Sequence, residues 1–182
     1  MVGLFLLADY FEDTEAIATL DVLQRAGHKI IKASLMNRLE VATQCGSFYQ
    51  CDMFFDDVDI NSVDYLLIPG GKASFTILNV DLRVEKVIDE FVSNNKLVAA
   101  ICAAPHLLAR KGYFKNREFT CFPGFEKYAK EGTYRKDLGV VRDDKFVTAK
   151  SMYYSIEFAL NIVSFLEGEA KANLVKNRCM GE

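Results

Sequence analysis

The chain has 182 residues, of which 51% are hydrophobic and 26% charged, with a formal net charge of -3. That length supports one ordinary domain, expected to span residues 1–182, with a sizeable core. The balance carries neither the basic surplus of a nucleic-acid binder nor an acidic tail, and no apolar run is long enough to cross a bilayer. Met1-Val2-Gly3-Leu4-Phe5-Leu6-Leu7-Ala8 is apolar but lacks a basic leader, so it reads as a core strand and not as a signal peptide. Five scattered cysteines do not make a disulfide framework, which points to a reducing cytoplasm. With no close cysteine pair and only His28 and His106 as imidazoles, no zinc site is expected.

In chain order, Val2 to Ala8 is the first strand, Asp9 to Asp13 an exit loop, and Thr14 the expected cap of a helix running to about Ala26. Ile17, Leu20, Val22 and Leu23 give that helix a broad apolar stripe, and Gly27 ends it. His28 to Met36 alternates as a second strand, completing a β-α-β unit. Arg38 to Met53 is a polar excursion with short β signals at the sheet edge. Val63 to Ile68 is a buried strand ended by Pro69-Gly70-Gly71, a turn whose backbone N–H groups can face a ligand. Val80 to Asn94 reads as an amphipathic helix with Val84, Val87, Ile88 and Phe91 on one face.

Leu97 to Ile101 is an uninterrupted apolar strand that stops at Cys102, and Pro105 suits the first turn of a helix ending near Gly112. A side chain at such a strand-to-helix corner is held up at the sheet edge, and the helix N-terminus behind it favours a thiolate. The corner resembles a nucleophile elbow without its usual glycines. The other reading of Cys102 is a small buried apolar residue. Further on, Glu118 to Phe122 reads as a strand broken by Pro123-Gly124, and Leu138 to Val141 with Lys145 to Ala149 as a hairpin about Arg142-Asp143-Asp144. Ser155 to Leu166 is the last strong helical pattern, and Gly168 to Cys179 is a polar tail with room for a short helix.

Strands alternating with helices give a mostly parallel sheet covered on both faces, with sites beyond the carboxyl ends of the strands. The loops there supply a carboxylate (Glu12, Asp13 or Glu15), backbone amides after Pro69 and the Cys102 thiol. Glu15, one turn into its helix, is best placed to point back over the sheet edge, whereas Glu12 and Asp13 read as solvated charges at the helix's positive end.

These residues resemble the DJ-1/ThiJ/PfpI superfamily, with the small DJ-1-like members closest. The resemblance rests on Phe11-Glu12-Asp13-Thr14-Glu15-Ala16, Pro69-Gly70-Gly71, Ala100-Ile101-Cys102-Ala103-Ala104-Pro105 and Ser155-Ile156-Glu157-Phe158-Ala159-Leu160, in the family's order. It implies a flavodoxin-like three-layer α/β/α sandwich, of the class I glutamine amidotransferase-like kind, and a homodimer. It also implies Cys102 as the reactive cysteine, Glu15 as its protonated partner, and Gly70, Gly71 and Ala103 as the backbone of an oxyanion pocket. A neutral carboxyl can donate to a thiolate where a charged one would repel it.

One departure stands out. In Thr120-Cys121-Phe122-Pro123, Phe122 occupies the position of a histidine that many members carry, so the usual Cys-His pair is missing. His106 lies four residues after Cys102, at a position that reads as core or interface rather than as a relay. Lys150 reads equally as a rim residue or a solvated lysine. Cys121 has two readings, a resolving thiol or a filler of an apolar niche. By the resemblance, Cys45 and Cys51 lie near the dimer contact, and Cys179 sits exposed in the tail. Phe11, Phe122, Tyr153 and Tyr154 are candidate pocket walls, whereas Phe54 and Phe91 read as core.

Three functions compete. The first is a cofactor-free glyoxalase or deglycase in a carbonyl-stress protein, acting on small dicarbonyls or their early adducts. The second is a redox sensor or chaperone in which Cys102 is oxidised to the sulfinate. The third, hydrolysis of peptides or amides, ranks last for want of the histidine.

Overall fold

The computed structural model describes residues 1–182. Its main sheet has seven strands: β1 (Val2–Leu7), β2 (Lys29–Ser34), β5 (Met53–Phe54), β6 (Tyr65–Ile68), β7 (Leu97–Ile101), β10 (Val140–Asp143) and β11 (Phe146–Ala149). They lie in the order β10-β11-β7-β6-β1-β2-β5. All pairings are parallel except β10 with β11, which form the expected hairpin. Two small ladders stand apart: β3 (Glu40–Ala42) antiparallel to β4 (Phe48–Gln50), and β8 (Glu118–Phe119) parallel to β9 (Thr133–Tyr134).

The inner strands are apolar throughout because both faces are covered. On one face α1 (Asp13–Arg25) packs against α5 (Ser155–Glu167), which in turn supports α6 (Glu169–Met180). On the other, α3 (Leu82–Ser93) lays Val84, Val87, Ile88 and Phe91 on β6 and β7. The short helices α2 (Lys72–Thr76) and α4 (Pro105–Ala109) follow β6 and β7. The fold is a flavodoxin-like α/β/α sandwich around one continuous cluster of 49 buried apolar residues.

Chain order reverses at β1, which lies between β2 and β6, and the loops leaving β1, β6 and β7 converge beyond that switch point. Several expectations are corrected here. Glu12, not Thr14, caps α1, its carboxylate accepting from the Glu15 N–H at 2.7 Å. The segment at Glu118 is a two-residue strand outside the main sheet, because its partner is Thr133–Tyr134. Phe54 is 37% exposed on the edge strand and is not core.

Candidate active site

Cys102 stands at the corner between β7 and α4 with φ of 64°, a left-handed conformation that side chains other than glycine seldom adopt. Its backbone is held from both sides: its N–H donates to the Ala149 carbonyl and its carbonyl accepts from the Phe122 N–H, each at 2.8 Å. These bonds keep the strained corner in place and lift the thiol above the strand ends. The Gly71 and Ala103 N–H groups are directed at the sulfur.

Glu15 is 1% exposed although it is acidic. It occupies the third position of α1 and turns away from its own helix, so that Oε2 accepts from the Gly70 N–H at 2.8 Å. Oε1 has no fixed donor in the protein, while the carboxyl as a whole interacts with the Cys102 thiol. Burial pushes Glu15 up to about 7, an effect reinforced by the charge of Glu12 and opposed by the bonds to Cys102 and Gly70.

Burial also pushes the Cys102 thiol up, and an ionised Glu15 beside it adds to the shift, while the Ala103 and Gly71 N–H groups pull it down. This runs opposite to the expected thiolate. The physical reason is that α4 has only five residues to present a positive end, against a largely desolvated sulfur facing a carboxylate. The two acids are coupled, since a protonated Glu15 no longer repels the thiolate and can donate to it.

The glycine turn closes the arrangement. A Cβ on Gly70 would come within 2.5 Å of the Cys102 Cβ and closer still to Glu15 Oε2. Gly71 has φ of 80° and lies against the Glu12 N and the Tyr10 carbonyl. The Gly70 N–H is committed to Glu15, which corrects its expected place in an oxyanion pocket; Gly71 and Ala103 keep that orientation.

The remaining candidates divide. Phe122 is joined to Cys102 through its backbone and is 45% exposed. Asp13, expected to be merely solvated, accepts from the Cys45 N–H at 3.1 Å and ties the edge excursion to α1. His106 is buried, its Nδ1–H donating to the Ala103 carbonyl at 2.8 Å, and burial lowers its pKa. His28 lies at the opposite end of the strands, between the Tyr65 hydroxyl and Glu167, each at 2.6 Å. The Lys150 ammonium donates to the Lys136 carbonyl. Cys121 and Cys51 are buried, and burial pushes their thiols up to about 12 and about 11. Phe11 is core, and Tyr153 belongs to a groove between α5 and α6. The carbonyl of Ala149, which fixes Cys102, could not be read from sequence because a backbone contact leaves no side-chain signature.

A flavodoxin-like sheet with a cysteine on the strained corner after an inner strand defines a class of cysteine-elbow α/β proteins. Residues 3–165 match the model of the DJ-1/PfpI family, and the chain belongs to that family. It is 32% identical over 176 residues to protein dj-1beta of Drosophila melanogaster, covering 95% of this chain and 93% of the relative. It is 32% identical to a glutathione-independent glyoxalase of Caenorhabditis elegans (94% and 91% covered) and 30% identical to a deglycase of Pyrococcus horikoshii (82% and 90% covered). Against protein DJ-1 homolog B of Arabidopsis thaliana, 30% identical, the match takes in 91% of this chain but only 38% of the relative. The crystal structure of Drosophila DJ-1beta superposes with a TM-score of 0.92 at 29% identity, covering 98% of this chain and 97% of the other.

Proposed function

We propose that the chain is a DJ-1-like carbonyl-stress protein in which Cys102 and Glu15 convert small dicarbonyls, or their early adducts, into hydroxy acids. The observation that carries this reading is the buried Glu15 carboxyl, held against the Cys102 thiol with a pKa of about 7. Such a group is half ionised near neutrality and so fit both to take and to return a proton.

Glu15 carboxylate takes the thiol proton as sulfur attacks the aldehyde carbon. The alkoxide that forms meets the Gly71 and Ala103 N–H groups. Proton return from Glu15 gives the hemithioacetal. Glu15 then removes the C–H proton from the former aldehyde carbon and delivers it to the adjacent carbonyl carbon, while the hemithioacetal O–H proton passes to the former ketone oxygen, leaving a 2-hydroxy thioester. Water attacks the thioester, releasing the hydroxy acid and restoring the thiol. The sequence consumes one water and requires no external oxidant or cofactor.

The test is methylglyoxal consumption with lactate analysis. Cys102→Ser and Glu15→Gln are each expected to lose roughly a hundredfold or more, and wild-type turnover no faster than Cys102→Ser would overturn the reading.

Phe122 in the place of the family histidine favours a second reading, a redox sensor, because oxidation of Cys102 needs no relay. Intact mass after graded peroxide would then show oxygen added first at Cys102. Peptidase action lacks the family histidine that would hand a proton to the leaving amine, its place being taken by Phe122. A cytoplasmic homodimer completes the proposal. All five cysteines are free, and the outer face of α1, α5 and α6 exposes Ile17, Tyr153, Ile156 and Met180.

A further inference from the structure

At the end of α4 remote from Cys102, the chain folds a cleft of about 290 Å³ between the Ala109–Lys115 turn and the loop from Lys127 to Gly132. Four cationic side chains line it, Arg110, Lys115, Lys127 and Lys130, against one carboxylate, Glu131. In a chain of net charge -3 this is a local field opposite in sign to the whole. The single carboxylate is already engaged, by Lys115 at 2.8 Å, in a pair with both side chains about 60% exposed (59% and 62%). A pair so open to water contributes little and is readily exchanged.

The backbone supplies an independent observation. The N–H groups of Lys130, Glu131 and Gly132, three in succession, donate to no acceptor in the protein. The loop that carries them is fastened nonetheless. The Asn116 N–H donates to the Glu131 carbonyl at 2.9 Å, and the Thr133 N–H donates to the Arg117 carbonyl at 2.8 Å. Gly132 sits hard on the buried Phe114, where an added Cβ would lie 3.0 Å from the Phe114 Cβ. Consecutive free N–H groups on a fixed loop, ringed by cations, make the kind of concavity that takes an anionic oxygen cluster.

We propose that this cleft binds the phosphate of a small phosphorylated metabolite, a phosphomonoester of a sugar-sized skeleton. The volume is at the lower bound of small-molecule sites, which favours a sugar phosphate over a nucleotide. The Lys130, Glu131 and Gly132 N–H groups would receive the phosphate oxygens, with Lys127 and Lys130 supplying charge from the rim and Lys115 turning from Glu131 to the ligand.

The test is titration of the full ¹⁵N-labelled chain at fixed ionic strength with inorganic phosphate, glucose 6-phosphate and glucose. Glucose 6-phosphate is expected to give saturable shifts at the Lys130, Glu131 and Gly132 amides at lower concentration than inorganic phosphate, and glucose none. A Lys127→Gln/Lys130→Gln double variant, with an unchanged melting curve, is expected to weaken binding about tenfold, and Glu131→Gln to tighten it about threefold. The proposal is overturned if the shifts do not saturate, if they spread over lysines throughout the surface, or if glucose 6-phosphate binds no better than inorganic phosphate. None of these readouts depends on Cys102, so the outcome is separate from that of the dicarbonyl chemistry.

Discussion

A carboxyl group as deeply buried as Glu15 changes the stability of the protein with pH. Its folded pKa, about 7, lies above the ordinary 4.5. Between these values the folded chain holds a proton that the unfolded chain has released, so this residue's contribution to stability falls as pH rises through that window and levels off above it. The span corresponds to a loss on the order of 3 kcal/mol. Glu15→Gln keeps the shape and removes the titration. Urea unfolding from pH 5 to pH 8 is therefore expected to show the variant gaining on wild type as pH rises, and parallel curves would refute the assignment. The same residue governs Cys102. With Glu15 ionised the thiol is held protonated by burial and repulsion, so Glu15→Gln is expected to lower the pH at which Cys102 becomes alkylated.

At the scale of elements, two adjacent glycines do different work, and substitution separates them. A Cβ on Gly70 meets the movable Glu15 carboxyl but also the Cys102 Cβ and the Ile101 carbonyl, which the backbone fixes; a Cβ on Gly71 meets the backbone of Tyr10, Phe11 and Glu12 and is also forced to φ of 80°. Gly70→Ala is expected to lose stability, about 1–3 kcal/mol for overpacking, while Cys102 alkylation loses its dependence on Glu15. Gly71→Ala is expected to cost more stability than Gly70→Ala in urea unfolding, and the reverse order would refute the distinction. The apolar runs of β6 and β7, ended by Pro69-Gly70-Gly71 and Cys102, made this part of the site legible from sequence. The cap of α1 was not legible. Thr14 is a better cap by residue type, but the Glu15 carboxyl must reach the Gly70 N–H, and a helix starting two residues earlier provides that reach. Two-residue strands such as β8 escape periodicity altogether, because Glu118 finds Thr133 only through the folded loop.

Across the whole molecule, the chemistry and the proposed dimer contact occupy separate surfaces. The carboxyl ends of β1, β6 and β7 carry Glu15, Gly71 and Cys102, whereas the outer face of α1, α5 and α6 carries exposed Ile17, Ile156 and Met180. A groove of about 500 Å³ runs between α5 and α6, lined by Tyr153, Ile156, Leu160, Cys179 and Met180. A smaller cleft continues it to Ala18 and Val22 of α1, with Ile156 and Cys179 common to both. Covering such a contiguous patch with a second copy of the chain removes apolar area from water at about 25 cal/mol per Å². Ile17 and Ile156 are 48% and 52% exposed, so charging them disturbs little within the fold. Sedimentation of an Ile17→Glu/Ile156→Glu variant is expected to give a monomer where wild type gives a dimer, with the helical circular-dichroism signal retained. In the proposed dimer Cys179 is covered, so its alkylation is expected to speed up in the variant. A monomeric wild type would refute the dimer, whereas a variant that still dimerises would place the contact elsewhere, with the β3–β4 hairpin and its 67%-exposed Phe48 the next face to charge.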